Sequence, residues 1–195
     1  MKKVYIIHGW AGSPNELVLT WIGQELTKKG YEVILPSMPH SEEPIIAEWV
    51  SYLENIVGIP DEDSYFVGHS IGCQTIMRYF ETLPIGSKVG GALFIAGWFN
   101  LAGLEDEGED MVAIGKPWIE TPIDFEKVKS VCPKMAVIIS SNEPYGYVEE
   151  NKKTFIEKLD AEVIILEDRG HFTESDGITE LPEALVAIDE LSAGM

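Results

Sequence analysis

Apolar positions along this chain follow two alternating rhythms. Six short runs are almost continuously apolar: Lys3–Ile7, Tyr31–Leu35, Ser64–Val67, Ala92–Ala96, Met135–Ser140 and Glu162–Leu166. They are rich in Val, Ile and aromatic residues and show little period-2 alternation, the pattern of parallel strands buried on both faces. Between them, apolar residues recur at helical spacing over Pro14–Lys29, Pro44–Val57, Ile71–Leu83, Tyr147–Leu159 and Pro182–Leu191. The first of these helices is expected to have Ser13 as its N-cap, Pro14 at its first position, Glu16 in its first turn and Gly30 at its end. The alternation predicts an α/β fold: an open, mostly parallel sheet of about six strands with helices on both faces.

One stretch, 97–133, breaks the rhythm. It has no clear strand and carries Gly97-Trp98-Phe99-Asn100, the acidic run Glu105-Asp106-Glu107-Gly108-Glu109-Asp110, and Lys116-Pro117-Trp118-Ile119. A connection of this length in a compact fold is usually functional or disordered, and its tryptophans favour an ordered element that packs over something. A short lid inserted into a single domain spanning 1–195 is the expectation.

Length and charge narrow the picture. A chain of 195 residues can bury one sizeable core and is short for two. No apolar run reaches the length of a membrane span, and the opening run Val4-Tyr5-Ile6-Ile7 is cut by His8-Gly9-Trp10, too early for a secretory signal. Two cysteines, Cys73 and Cys132, make a disulfide framework an unlikely device, so a cytoplasmic location is expected. The formal net charge of −19 argues against nucleic acid and anionic membranes as partners and favours neutral or cationic substrates.

The chemistry starts at Gly68-His69-Ser70-Ile71-Gly72, which fits Gly-x-Ser-x-Gly. A strand-like run precedes it and a helical run follows it, as in a nucleophile elbow that lifts a serine hydroxyl above the sheet. Ser70 then needs a base. Of the four histidines, His171 lies in a loop directly after the last strand, where the carboxyl ends of a parallel sheet gather ligand-binding residues. The base needs an orienting carboxylate. Glu143, after the fifth strand, completes the chain order Ser…acid…His of α/β-hydrolases. Asp106 and Asp110 in the lid segment are rival acids, while Asp168 is expected to hold its own loop. An oxyanion hole would combine the N–H of Ile71 with that of Trp10, in the small-residue loop after the first strand. That loop lacks both the Walker lysine and the dinucleotide glycine spacing.

These residues resemble the small serine hydrolases of the α/β-hydrolase superfamily, of the retinoblastoma-binding-protein-nine type. The resemblance runs over nearly the whole chain, through His8-Gly9 with Gly12-Ser13, Trp21, the Ser70 elbow, Pro117-Trp118, Asn142-Glu143-Pro144-Tyr145 and Asp168-Arg169-Gly170-His171-Phe172. The family shows Asp-Asp-Pro where this chain has Asn142-Glu143-Pro144, so the triad acid carries over onto Glu143 by substitution. The resemblance implies a minimal α/β-hydrolase fold lacking the first strands of larger members, a compact lid, and esterase-like activity on small acyl substrates. Trp98, Trp118 and Tyr145 are candidate substrate-binding walls. The expected reaction is carboxylic ester hydrolysis through an acyl-enzyme on Ser70, with no metal and no cofactor. An inactive scaffold that binds a protein partner, and an acyltransferase, amidase or aminopeptidase using the same triad, are the alternatives.

Overall fold

The computed structural model describes residues 1–193. Six strands form one sheet in the order β2-β1-β3-β4-β5-β6: β1 Lys3–Ile7, β2 Glu32–Ile34, β3 Ser64–His69, β4 Gly91–Ile95, β5 Met135–Ser140 and β6 Glu162–Leu166. Every adjacent pair is parallel. Within β1, Val4 and Ile6 face one side and Tyr5 and Ile7 the other, and all four are buried. Both faces are covered, so the inner strands are apolar at most positions, the polar residues falling at their ends, and each fully buried aliphatic side chain contributes about 1.5–3 kcal/mol. The outer strands β2 and β6 are half-exposed, as their edge positions dictate.

Helices α1 (Leu17–Lys28) and α8 (Pro182–Ser192) cover one face, with Leu19, Ile22, Leu26, Ala184 and Ile188 against Ile6, Val67, Leu93 and Ile95. The other face carries α2 (Ile46–Val57), α3 (Ile71–Thr82), α6 (Phe125–Val131) and α7 (Val148–Leu159), which bury Trp49, Leu53, Phe80, Val131 and Phe155 against Phe66, Phe94 and Val137. The α/β-hydrolase architecture follows from this one sheet and its two helical layers.

The chain leaves β1 for β2 on one side and returns to β3 on the other. This reversal opens a crevice at the carboxyl ends of β1 and β3, the place where open α/β sheets bind ligands. Two segments depart from the sequence pattern. Helix α1 starts at Leu17, not Pro14: Ser13 Oγ accepts from Asn15 N at 3.2 Å and Glu16 Oε1 accepts from Ser13 N at 3.0 Å, so Ser13–Glu16 is a self-bonded turn, not a cap and first turn. The stretch 97–133 forms three helices: α4 (Leu104–Glu107), α5 (Glu109–Glu120) and α6. The guanidinium of Arg78 on α3 ties it down, donating to the carbonyls of Trp118, Thr121 and Pro122. Among the described residues no helix is long and apolar enough to cross a membrane.

Candidate active site

Ser70 sits between β3 and α3 with φ 53° and ψ −122°, a left-handed conformation that L-residues adopt only under constraint. The constraint is visible in its neighbours. A Cβ on Gly68 would lie 2.7 Å from the backbone of Cys73, and one on Gly72 would lie 2.4 Å from the carbonyl oxygen of Ile7. Only glycine lets α3 start this close to β1 and β3. Ser70 N donates to Ile95 O at 2.9 Å, which anchors the elbow to β4. Among the described residues, no backbone hydrogen bond claims the amides of Ile71 or Trp10. Trp10, after β1, lines the crevice, and Ile71 directly follows the serine that does.

The loop after β6 is held residue by residue. Arg169 N donates to Ser140 Oγ at 2.8 Å, Gly170 N to Asn142 Oδ1 at 2.8 Å and His171 N to Asp176 Oδ2 at 2.9 Å. Gly170 takes φ 56°, and a Cβ there would strike the Asp176 carboxylate. The loop presents His171, whose Nδ1 lies 2.7 Å from Glu143 Oε1. A carboxylate accepts, so the ring carries its proton on Nδ1 and Nε2 keeps its lone pair in the neutral form. Both side chains are largely buried. Glu143 Oε1 also accepts from Tyr145 N at 3.4 Å, and the Tyr145 ring stands edge-on to His171 at 5.1 Å.

Ser70, His171, Trp10, Trp98 and Tyr145 share the wall of one cavity of about 460 Å³, which Leu101, Leu104 and Met111 from the 97–133 stretch help to close. Trp118 is not part of it. Its indole is buried toward α2, donating to Pro44 O at 2.9 Å and packing edge-on against Trp49 at 6.0 Å, so its position is a core position. Asp106 and Asp110 are exposed on α4 and α5, and the bond to His171 Nδ1 belongs to Glu143. Asp168 is exposed, and the hydrogen bonds expected of it come from Asp176, Asn142 and Ser140 instead. Asp176 was legible as the last residue of a Thr-x-x-Asp capping box.

The other histidines do different work. His69 Nε2 lies 2.8 Å from the carbonyl oxygen of His171, which can only accept, so this nitrogen carries the proton. Burial and the charge of His171 push the His69 ring down to about 3, so it is neutral. Its Nδ1 is buried, without a hydrogen-bond partner among the described residues, 3.7 Å from Glu16 Oε2. Glu16 lines the cavity, and burial raises its carboxyl above the usual range. The sequence pattern did not mark it as a site residue. His8 is buried, with Nε2 accepting from Met38 N at 3.0 Å and Nδ1 at 2.8 Å from Gly9 O, while exposed His40 pairs with Glu48.

The chain is similar to known proteins over most of its length. YdeN of Bacillus subtilis strain 168 is 28% identical over 185 residues, 93% of this chain and 91% of that protein. The serine hydrolase RBBP9 of Rattus norvegicus is 27% identical over 173 residues, 87% of this chain and 81% of that protein. The crystal structure of the B. subtilis ydeN gene product superposes with a TM-score of 0.87 at 25% identity, covering 98% of each chain. A carboxylesterase structure from the thaumarchaeon Nitrososphaera gargenis superposes at 0.73 and 16% identity over 98% of this chain and 90% of that one, a likeness of fold. The serine hydrolase family profile matches residues 4–190, and the chain belongs to that family.

Proposed function

We propose that the protein is a carboxylesterase that hydrolyses small acyl esters through an acyl-enzyme on Ser70. The observation that carries this reading is the 2.7 Å pair of His171 Nδ1 and Glu143 Oε1, whose His171 shares the cavity wall with Ser70. His171 Nε2 takes the Ser70 proton as Oγ attacks the ester carbonyl. The amides of Ile71 and Trp10 then receive the negative charge on the carbonyl oxygen. His171 passes its proton to the departing alcohol, and water activated by the same nitrogen resolves the acyl-enzyme. Glu143 keeps the ring in the required tautomer and stabilises the imidazolium. Among the described residues no hydrogen bond joins Ser70 Oγ to His171; such contacts often tighten only when substrate binds.

A cavity of about 460 Å³ suits a short acyl chain and a modest alcohol. Four carboxylates, Glu16, Glu42, Glu107 and Glu174, line it and, among the described residues, no lysine or arginine does, which disfavours substrates with an anionic acyl chain. The test is a panel of p-nitrophenyl esters together with a fluorophosphonate probe. The wild type should cleave acetate and butyrate esters and take up the probe, and Ser70→Ala should do neither. A wild type inert to the whole panel and to the probe would sink the reading.

A further inference from the structure

The hydroxyl of Ser70 already has a side-chain partner. The indole Nε1–H of Trp98 donates to Ser70 Oγ at 3.3 Å, and both residues are buried. An indole nitrogen only donates, so Oγ accepts and the hydroxyl proton remains free to be given elsewhere.

The tryptophan is held in place from several directions. It follows β4 just after Ala96, whose φ of 48° turns the chain sharply. Its carbonyl accepts from Gln74 Nε2 at 3.1 Å, and Gln74 Oε1 in turn accepts from Arg78 Nη2 at 3.1 Å. The next two amides, Phe99 N and Asn100 N, both donate to Asn151 Oδ1, at 2.8 Å and 3.1 Å. Gln74 and Arg78 belong to α3, the helix that begins at the elbow, so one helix carries the nucleophile and fixes the group that touches it. The intervening Gly97 has no room for a side chain, because a Cβ would lie 2.8 Å from the Phe155 ring.

We infer that Trp98 is a catalytic residue: its indole N–H binds the nucleophilic oxygen of Ser70, leaves the hydroxyl proton to His171, and stabilises charge on Oγ whenever that oxygen bears it. The inference rests on the serine-hydrolase reading above. In acylation the Oγ–carbon bond forms as the hydroxyl proton passes to His171 Nε2 and the carbonyl electron pair moves onto the oxygen facing Ile71 and Trp10. That pair then re-forms the carbonyl as the bond to the alcohol oxygen breaks and His171 gives its proton to the departing alcohol. In deacylation water adds to the acyl carbon and loses a proton to His171, and the Oγ–carbon bond breaks as His171 returns that proton to Oγ and the acid leaves. Trp98 gives up no proton in either step. The two backbone amides serve the carbonyl oxygen, whereas Trp98 serves the serine oxygen as nucleophile and later as leaving group. A fixed donor in a buried site needs no reorganisation when the charge appears.

Trp98→Phe keeps the ring and removes the N–H. It should lower kcat and the rate of fluorophosphonate labelling by about tenfold, while KM moves by less than about twofold. A second measurement needs no turnover. The indole N–H resonance of Trp98, identified by its loss in Trp98→Phe, should shift in Ser70→Ala, and the other four tryptophan indoles should not. An unshifted Trp98 indole in Ser70→Ala would overturn the contact. A wild-type rate in Trp98→Phe, on an enzyme that is active, would overturn the catalytic role alone. A wild type inert to every ester and to the probe would overturn the serine-hydrolase reading, and the Trp98 role with it.

Discussion

At the scale of single residues, the proposal turns on Glu143. Its carboxylate, not Asp106 or Asp110, is bonded to His171. Its second oxygen is buried and unpartnered, so the group is committed to the imidazole and the Tyr145 amide. Glu143→Gln, which can present an N–H to Nδ1 and so favour the wrong tautomer, should lower kcat by about 10²–10⁴-fold. Asp106→Asn and Asp110→Asn should leave kcat within about twofold. Steady-state kinetics on one ester checks all three, and a Glu143→Gln rate close to wild type would remove the residue from the mechanism. The placement of Ser70, His171 and Glu143 was legible in the sequence because each follows a strand of a parallel sheet; the roles that chain order gives them belong to the proposal. Trp118 was misread because helical spacing marks an inward position but not what it meets there: Met111, two turns earlier on the same face of α5, borders the cavity, whereas Trp118 packs on Trp49. Asp168 was misread because a left-handed backbone at φ 53° carries its side chain to solvent, a conformation that sequence does not print.

At the scale of elements, the strand–elbow–helix unit concentrates strain where the nucleophile is. Its cost is borne by the packing of β1, β3 and α3, whose backbones approach at Gly68 and Gly72. Gly72→Ala would press a methyl against Ile7 O and His8 O, two backbone atoms that cannot rotate away. It should destabilise the fold by about 3 kcal/mol or more, measured as a lower midpoint in urea unfolding, and any folded fraction should react more slowly with the probe. Unchanged stability would mean that α3 can slide along the sheet. Strand positions were readable to within a few residues, since two-sided burial makes the inner strands apolar at most positions. The start of α1 was not: Ser13-Pro14 matches a helix start, but the Glu16 carboxylate reaches back to Ser13 N and closes a turn before the helix begins. The three helices of 97–133 were hidden for another reason. Helices α4 and α6 are short, α4 and the start of α5 are acid-rich, and α3 and α7 hold the stretch through Arg78 and Asn151, contacts that lie far apart in sequence.

At the scale of the molecule, buried histidines couple stability to pH. His69 prefers its neutral form because burial, then the charge of His171, pushes it down to about 3, and burial lowers His8 as well. The unfolded chain binds protons on these rings below about pH 6.5 while the native state resists. Their contribution is therefore fully present above pH 6.5 and lost as pH falls toward 3. For His69 it is on the order of a few kcal/mol. Glu16 has the opposite sign. Its raised carboxyl favours the protonated native state, a contribution present at low pH and lost as pH rises through its folded value. Urea unfolding at a series of pH values should show stability falling between pH 6.5 and 3, and His69→Gln should flatten that fall. A slope unaffected by the substitution would mean that His69 titrates freely.

The central claim, that Ser70 is the nucleophile of a hydrolase, is tested most directly by treating the wild type with a fluorophosphonate and mapping the adduct by mass spectrometry. A single adduct should form on the peptide containing Ser70, and none should form on Ser70→Ala. An adduct on another residue, or equal labelling of Ser70→Ala, would contradict it.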